Sequence, residues 1–237
     1  MRFAKKVALV TGGTGGLGKA VTLALLAEGA HVVVTFIYPE EFAALREAAG
    51  ARAEEIEGQY IDVTDEAAAR KLVGEIVNEH GHLDVLVNTV GGYAGGIKLW
   101  ELDSKTFDKM LALNLRAGYV LSRAVVPAML QQKSGAIVNI AAKAAFDHAA
   151  GASAYAASKA AALAMMESLA EDLRGTGVRV NSILPSIIDT EANRKAMPGE
   201  DFAKWPKPED IANVILFLLS DEAKVVHGAA IPVYGML

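Results

Sequence analysis

One stretch near the start of the chain restricts the available folds more than any other. Val7-Ala-Leu-Val10 is a short, continuous apolar run ending in Thr11-Gly12-Gly13-Thr14-Gly15-Gly16-Leu17-Gly18. An amphipathic helical pattern follows at once, from about Leu17 to Glu28, and stops at Gly29. A buried strand that feeds a helix through a glycine turn is the opening of a strand–helix–strand unit. The turn reads either as Gly13-x-Gly15-x-x-Gly18 or as Thr11-Gly12-x-x-x-Gly16-x-Gly18. In both readings the glycines let backbone approach a pyrophosphate, and the helix N-terminus receives its charge. An ordinary glycine turn has the same composition, but the strand before it and the helix after it favour a dinucleotide site.

The alternation continues along the whole chain. Further strands are expected at His31–Phe36, Gln59–Asp62, Asp84–Val87, Ala136–Ile140, Val178–Leu184 and Ala230–Val233. Between them lie helical patterns at Glu40–Ala49, at Glu66–Glu79 (capped by Thr64 or Asp65), at Asp103–Gln132 (interrupted by Pro127), at Ala154–Arg174 and at Pro208–Ser220. Pro185 to Pro206 reads as a loop. Strands that are continuously apolar, rather than alternating, suit a parallel sheet covered on both faces. The expected fold is α/β: a single doubly wound Rossmann-like domain over residues 1–237, with a seven-stranded parallel sheet and helices on both faces. At 237 residues, 52% of them hydrophobic, one such core is readily built.

Composition removes several function classes. A net charge of −5 and the lack of any basic run argue against nucleic acid and acidic membranes as partners. There is no cysteine, which excludes disulfides, thiolate chemistry and thiolate metal sites. His80 and His82 flank Gly81 in what reads as a solvated loop, and no metal site is expected from them. Four apolar residues after a basic N-terminus are too few for a signal peptide, and no run is long enough to span a membrane. A soluble cytoplasmic protein acting on a small molecule is the expectation. The chain ends soon after Tyr234-Gly235, so no C-terminal arm is expected over a pocket.

The second informative stretch runs from Asn139 to Lys159 and places Tyr155 and Lys159 four residues apart at the start of an Ala-rich helix. That spacing puts both side chains on one helical face. A phenol with its usual pKa of about 10 is a poor acid or base at neutral pH, and a fixed ammonium nearby lowers it. Tyr155 is therefore expected to be a general acid/base with a pKa lowered by Lys159. Taken alone, the spacing also suits a plain helix surface.

With these residues in view, the chain resembles the short-chain dehydrogenase/reductase family over nearly its full length. The resemblance rests on Thr11, Gly12, Gly16 and Gly18 in the first turn, Asn88 and Gly91 after the fourth strand, Asn114 in the following helix, and Tyr155 with Lys159. It implies that Tyr155 donates or accepts the proton, that Lys159 lowers its pKa and binds the nicotinamide ribose, and that Asn114 holds a proton-relay water. It further implies that NAD or NADP lies against Thr11, Gly12, Gly13, Gly15, Gly16, Leu17 and Gly18, with Phe36 at the end of the second strand. Asp62 and Val63 fall where the family contacts adenine, and Asn88, Gly91, Pro185, Ile188 and Thr190 complete the cofactor contacts. Val33 to Tyr38 supplies neither the acid that grips a ribose nor the base that grips a 2′-phosphate, so NAD against NADP stays open.

Three positions depart from the family pattern. Counting back about thirteen residues from Tyr155, where a serine is usual, gives Ala142. Pro185-Ser186 stands for Pro-Gly, and Asn88-Thr89-Val90-Gly91 stands for Asn-Asn-Ala-Gly. The stretches Gly91–Gly96, Ala142–Asp147 and Asp189–Pro198 with Asp201, Phe202 and Trp205 are similar to dihydropteridine reductase, which lacks the serine. That similarity implies hydride transfer to a flat conjugated substrate such as quinonoid dihydropterin, with Tyr93, Phe146 and Trp205 stacking on it beside Ala142. Packing of these aromatics within their own loops is the plain alternative. Ser153 is expected to cap the Tyr155 helix, and His148 to lie exposed.

Two other functions are compatible with the residues: a carbonyl or 3-oxoacyl reductase that tolerates Ala142, and a nucleotide-binding regulatory protein without chemistry. The family also implies a homodimer or homotetramer, formed through the long helices that carry Ala112, Leu113, Ala117, Leu163, Met165 and Met166.

Overall fold

The computed structural model describes residues 1–237. Seven strands form one sheet: β1 (Val7–Thr11), β2 (His31–Phe36), β3 (Ile56–Tyr60), β4 (Val85–Asn88), β5 (Gly135–Ile140), β6 (Val178–Pro185) and β7 (Ala230–Val233). Their order is β3-β2-β1-β4-β5-β6-β7, and every pair is parallel. The helices are α1 (Gly16–Ala27), α2 (Pro39–Ala49), α3 (Glu66–His80), α4 (Ser104–Leu111), α5 (Ala117–Gln132), α6 (Ser153–Asp172), α7 (Glu191–Ala196) and α8 (Pro208–Leu219). The doubly wound α/β expectation holds, with the order reversing between β1 and β4. That reversal opens a crevice at the carboxyl ends of the strands.

Alternate residues of each central strand enter two cores. Ala8, Val10, Val85, Val87, Ala136 and Val138 pack under α1 and α8, through Val21, Leu25, Ile211 and Ile215. Leu9, Leu86, Ile137 and Val180 face α3, α5 and α6, through Leu72, Ile76, Leu121 and Met166. Burial on both sides explains why these strands read as unbroken apolar runs.

Three boundaries differ from the sequence expectation. β3 starts at Ile56 rather than Gln59, because it is an edge strand in which Ile56 alone is fully buried. Its Gly58 gives way to the Phe42 ring, which lies where a Cβ would stand. The span Asp103–Gln132 is not one α-helix: a π-helical turn at Ala112–Arg116 separates α4 from α5. Pro127 lies inside α5 without ending it. The Pro185–Pro206 segment contains the short helix α7, whose cap is Thr190.

Candidate active site

The glycine turn is held by threonine hydroxyls. Thr35 accepts the Gly12 N–H at its Oγ1 (3.0 Å) and the Gly13 N–H at its carbonyl (3.2 Å). Thr89 Oγ1 donates toward the carbonyls of Thr11 (2.6 Å) and Gly12 (3.2 Å), and Thr22 Oγ1 donates to the Gly13 carbonyl (3.3 Å). Gly18 is required here because its α-carbon lies against the Gly12 carbonyl, where a Cβ has no room. With the first half of the turn pinned, the N–H groups of Gly16, Leu17 and Gly18 open α1 and have no intrahelical carbonyl to bond.

A cleft of ≈ 440 Å³ lies beside that helix start. Thr14, Gly15, Gly16, Lys19, Thr190 and Lys195 contribute to its wall. Glu41 and Glu191 line the cleft as well, engaging the Thr14 hydroxyl (2.8 Å) and the Lys195 amine (2.6 Å), and Lys19 with the helix N–H groups is what fits the pyrophosphate of a dinucleotide. Leu17 turns its side chain into the core. Pro185 ends β6 buried, and Ile188 packs on the α1/α8 core.

Phe36 stacks on Phe42 at 4.7 Å and leans on Tyr60 at 5.9 Å, an apolar floor without charge. Glu41, in the first turn of α2, accepts from the Thr14 hydroxyl (2.8 Å). Asp62 closes a turn by accepting from the Thr64 N–H and hydroxyl (2.8 Å each), while Val63 is buried in the α3 core.

Across the carboxyl ends of three strands runs a buried polar row. Thr11 Oγ1 donates to Asn88 Oδ1 (2.9 Å), and Asn88 Nδ2 donates to Asn139 Oδ1 (2.9 Å). The three residues are in register as sheet neighbours. The Asn88 side chain is thus spent inside the sheet.

The π-helical turn carries Asn114 into the interior. Its Oδ1 accepts the Gly92 N–H (2.9 Å), and its Nδ2 lies 3.0 Å from both the Gly92 carbonyl and Ser158 Oγ. Ser158 in turn donates to the Tyr155 carbonyl (2.8 Å). Gly92 and Ser158 engage both ends of the amide, so the side chain ties the loop after β4 to α6. Gly91 must be glycine: a Cβ there would stand 2.8 Å from Asn114 Oδ1 and 3.3 Å from Lys159 Nζ.

Tyr155 and Lys159 share one face of α6. Lys159 is 5% exposed, and its Nζ donates to the Ile140 carbonyl (2.8 Å) at the end of β5. Burial lowers it to about 8. Tyr155 is half-buried, with Tyr93 packed edge-on against its ring at 5.0 Å. Burial, with the Tyr93 phenol adding to it, pushes Tyr155 up to about 12. This corrects the expected lowered phenol: desolvation disfavours the charge on each group, and Lys159 bonds to a backbone carbonyl.

Ala142 is buried beyond the end of β5, where it offers a methyl and no hydroxyl. Tyr93 and Phe146 are 70% and 62% exposed, so their rings are free to meet a ligand. Trp205 is not: it is 4% exposed and packs on Phe202 at 4.9 Å. The expected stacking role of Trp205 is therefore corrected to a structural one. Ser153 does not cap α6 either, since its buried Oγ has no hydrogen-bond partner. His148 lies exposed, as expected.

Thr22, Thr35 and Ser158 escaped the sequence reading, which takes Thr89 only as a departure from the family's turn. The available signal was a hydroxyl in an otherwise apolar setting: Thr22, Thr35 and Ser158 are buried, which such a side chain tolerates only with a partner.

Residues 6–201 match the protein family described as short chain dehydrogenase. The chain is 34% identical to a 3-oxoacyl-[acyl-carrier-protein] reductase, FabG, of Thermotoga maritima, covering 100% of this chain and 99% of that one. It is 33% identical to a D-threitol dehydrogenase of Mycolicibacterium smegmatis, covering 99% and 93%. The solved structure of ElxO with NADP bound superposes with a TM-score of 0.92 at 28% identity, over 97% of each chain. The chain belongs to the short-chain dehydrogenase/reductase family, and it is an NAD(P)-dependent oxidoreductase of that family. These relatives do not carry the likeness of its three loops to dihydropteridine reductase. No helix is long and apolar enough to cross a membrane.

Proposed function

We propose that the protein reduces a carbonyl on a small molecule with NAD(P)H, using Tyr155 as the proton donor. The observation that carries this reading is a half-buried phenol whose surroundings keep it protonated at neutral pH, beside a buried cation on the same helix. When bound, the nicotinamide supplies the hydride. The Tyr155 hydroxyl donates to the substrate oxygen as negative charge grows there. Lys159, held by the Ile140 carbonyl, contributes positive charge at the base of the crevice. Asn114 fixes the Gly92 backbone, which sets the position of Tyr93 over the Tyr155 ring. The full-length likeness to a 3-oxoacyl reductase and a polyol dehydrogenase supports a ketone/secondary-alcohol couple.

Ala142 favours a second reading, reduction of a quinonoid dihydropterin. Such a ring spreads charge over several atoms and has less need of a hydroxyl aimed at one oxygen. The exposed rings of Tyr93 and Phe146 suit a flat substrate, and the burial of Trp205 removes one of the three aromatics.

NADH and NADPH oxidation should be followed with 3-oxoacyl thioesters, simple ketones and quinonoid dihydropterin. Turnover of a ketone or thioester well above that of the pterin supports the first reading, and the reverse order supports the second. Oxidation of neither cofactor with any substrate overturns both.

The exposed groove formed by Leu111, Ala112, Leu115, Tyr119 and Met165 supports self-association through α4, α5 and α6. Of the residues expected at that interface, Ala117, Leu163 and Met166 instead belong to the subunit's own core.

A further inference from the structure

At the amino ends of the strands, opposite the crevice, three side chains converge from three elements. His31 is the first residue of β2, Glu57 lies in β3, and His80 is the last residue of α3. His31 Nε2 bonds to Glu57 Oε1, and His80 Nε2 lies 3.1 Å from that same oxygen. The two imidazoles sit 4.6 Å apart between centroids, inclined at 40°. All three donor atoms lie within 4.8 Å of one another.

His31 Nε2 already holds Glu57 Oε1 in a hydrogen bond. The geometry leaves His80 Nε2 buried and without a hydrogen bond. An orphaned buried nitrogen aimed at an oxygen calls for an explanation. A divalent ion among the three atoms supplies one, because it bonds each lone pair directly. Ligands about 2.0–2.2 Å from a tetrahedral ion stand roughly 3.3–3.6 Å apart, so the His80–Glu57 pair at 3.1 Å would open slightly around an ion and the hydrogen-bonded His31–Glu57 pair would open further.

We propose that His31, Glu57 and His80 form a binding site for a divalent transition metal of the zinc class. Two imidazoles and one carboxylate are the donors such ions take, whereas calcium and magnesium favour all-oxygen sets. The side chains are 17–29% exposed, so an ion can enter and a water can complete the coordination. The ion would tie the edge strand β3 to β2 and to the end of α3. The sequence concealed the site by setting His82 next to His80. In the fold His82 turns to Asp84 (3.2 Å) and to the Lys5 carbonyl (3.1 Å).

The test uses the full chain without an affinity tag, stripped with a chelator and titrated with Zn²⁺ by calorimetry and thermal unfolding. One ion per chain and a rise in melting temperature are expected. Glu57→Gln and His80→Gln should each weaken binding tenfold or more, while His82→Gln should not. Co²⁺ in place of Zn²⁺ should give a visible ligand-field band that both of the first two variants lose. Absence of saturable binding at millimolar Zn²⁺ overturns the proposal. So does binding that survives in Glu57→Gln or His80→Gln, since the ion would then sit elsewhere.

Discussion

Asn114 holds Gly92 from both sides, taking its N–H at 2.9 Å and meeting its carbonyl at 3.0 Å. The same amide reaches Ser158, so one side chain joins the loop after β4 to the helix that carries Tyr155. Asn114→Ala leaves these polar groups unpaired in a buried place. A loss of about 1–3 kcal/mol in stability is expected. Turnover should fall more than tenfold, because the Tyr93 loop loses its anchor. Chemical denaturation and steady-state kinetics on the same preparation check both.

Tyr155→Phe separates chemistry from folding. The Tyr155 hydroxyl makes no hydrogen bond within the protein, so its removal should leave the melting temperature within a degree or two. Turnover should fall by roughly 10²–10⁴, the usual value of a positioned acid. Wild-type turnover in the variant would remove Tyr155 from the reaction.

Lys159 gives a stability effect of definite sign. Its folded value is about 8, against 10.5 for the free side chain. Between these values the unfolded chain binds the extra proton and the folded chain does not. This residue therefore makes stability rise with pH across that window, and its burial cost is fully present below it. Lys159→Met removes a cost of at most roughly 3 kcal/mol at neutral pH, set against one lost hydrogen bond. The variant should be no less stable than wild type at pH 7, and any advantage should shrink as pH rises toward 10.5. Its turnover should be severely reduced. In the wild type, turnover should decline above about pH 8 as the ammonium is lost. Melting curves of the two proteins across pH, with a pH–rate profile, decide the matter.

Ala142→Ser restores a hydroxyl at a buried position beside the crevice. Without a protein partner, that group costs about 1–3 kcal/mol in stability. If the reaction places charge on a single oxygen, kcat/KM for simple ketones should rise severalfold while that for quinonoid dihydropterin stays flat. A ketone panel showing no gain would count against the carbonyl reading.

Leu115→Glu places a carboxylate in the groove between α5 and α6. A dimer or tetramer formed through this face should dissociate in the variant, as measured by light scattering. A wild-type monomer would show that the face is free.

The sheet was legible because its central strands are buried twice and so spell continuous apolar runs. β3 was misplaced for the converse reason: at the edge only Ile56 needs to be fully buried, and Glu57-Gly58-Gln59 does not look like a strand. Tyr155, Lys159 and the glycine turn are local patterns, and their setting in the strand–helix order, with the family resemblance, is what made them legible. Asn114 was readable as a position but not as a geometry, since a π-helical turn leaves no periodic mark and decides where the amide points. The direction of the Tyr155 shift was not readable, because it depends on how much water each group loses. Trp205 and Ser153 failed for a similar reason: the residue type suggested a role that only its neighbours could assign.

The row formed by Thr11, Asn88 and Asn139 also acts as a vernier on strand alignment. Side chains alternate faces along a strand, so a slip of one residue in β4 or β5 turns an asparagine to the other side of the sheet. Apolar neighbours such as Val87 and Val138 would exchange with little loss, since both faces are buried. The amides would not, because each would be sealed in hydrocarbon without its partner. Misaligned chains are thereby penalised by polar groups buried within the sheet, and the loops bearing Gly91 and Ala142 emerge from strands held in register.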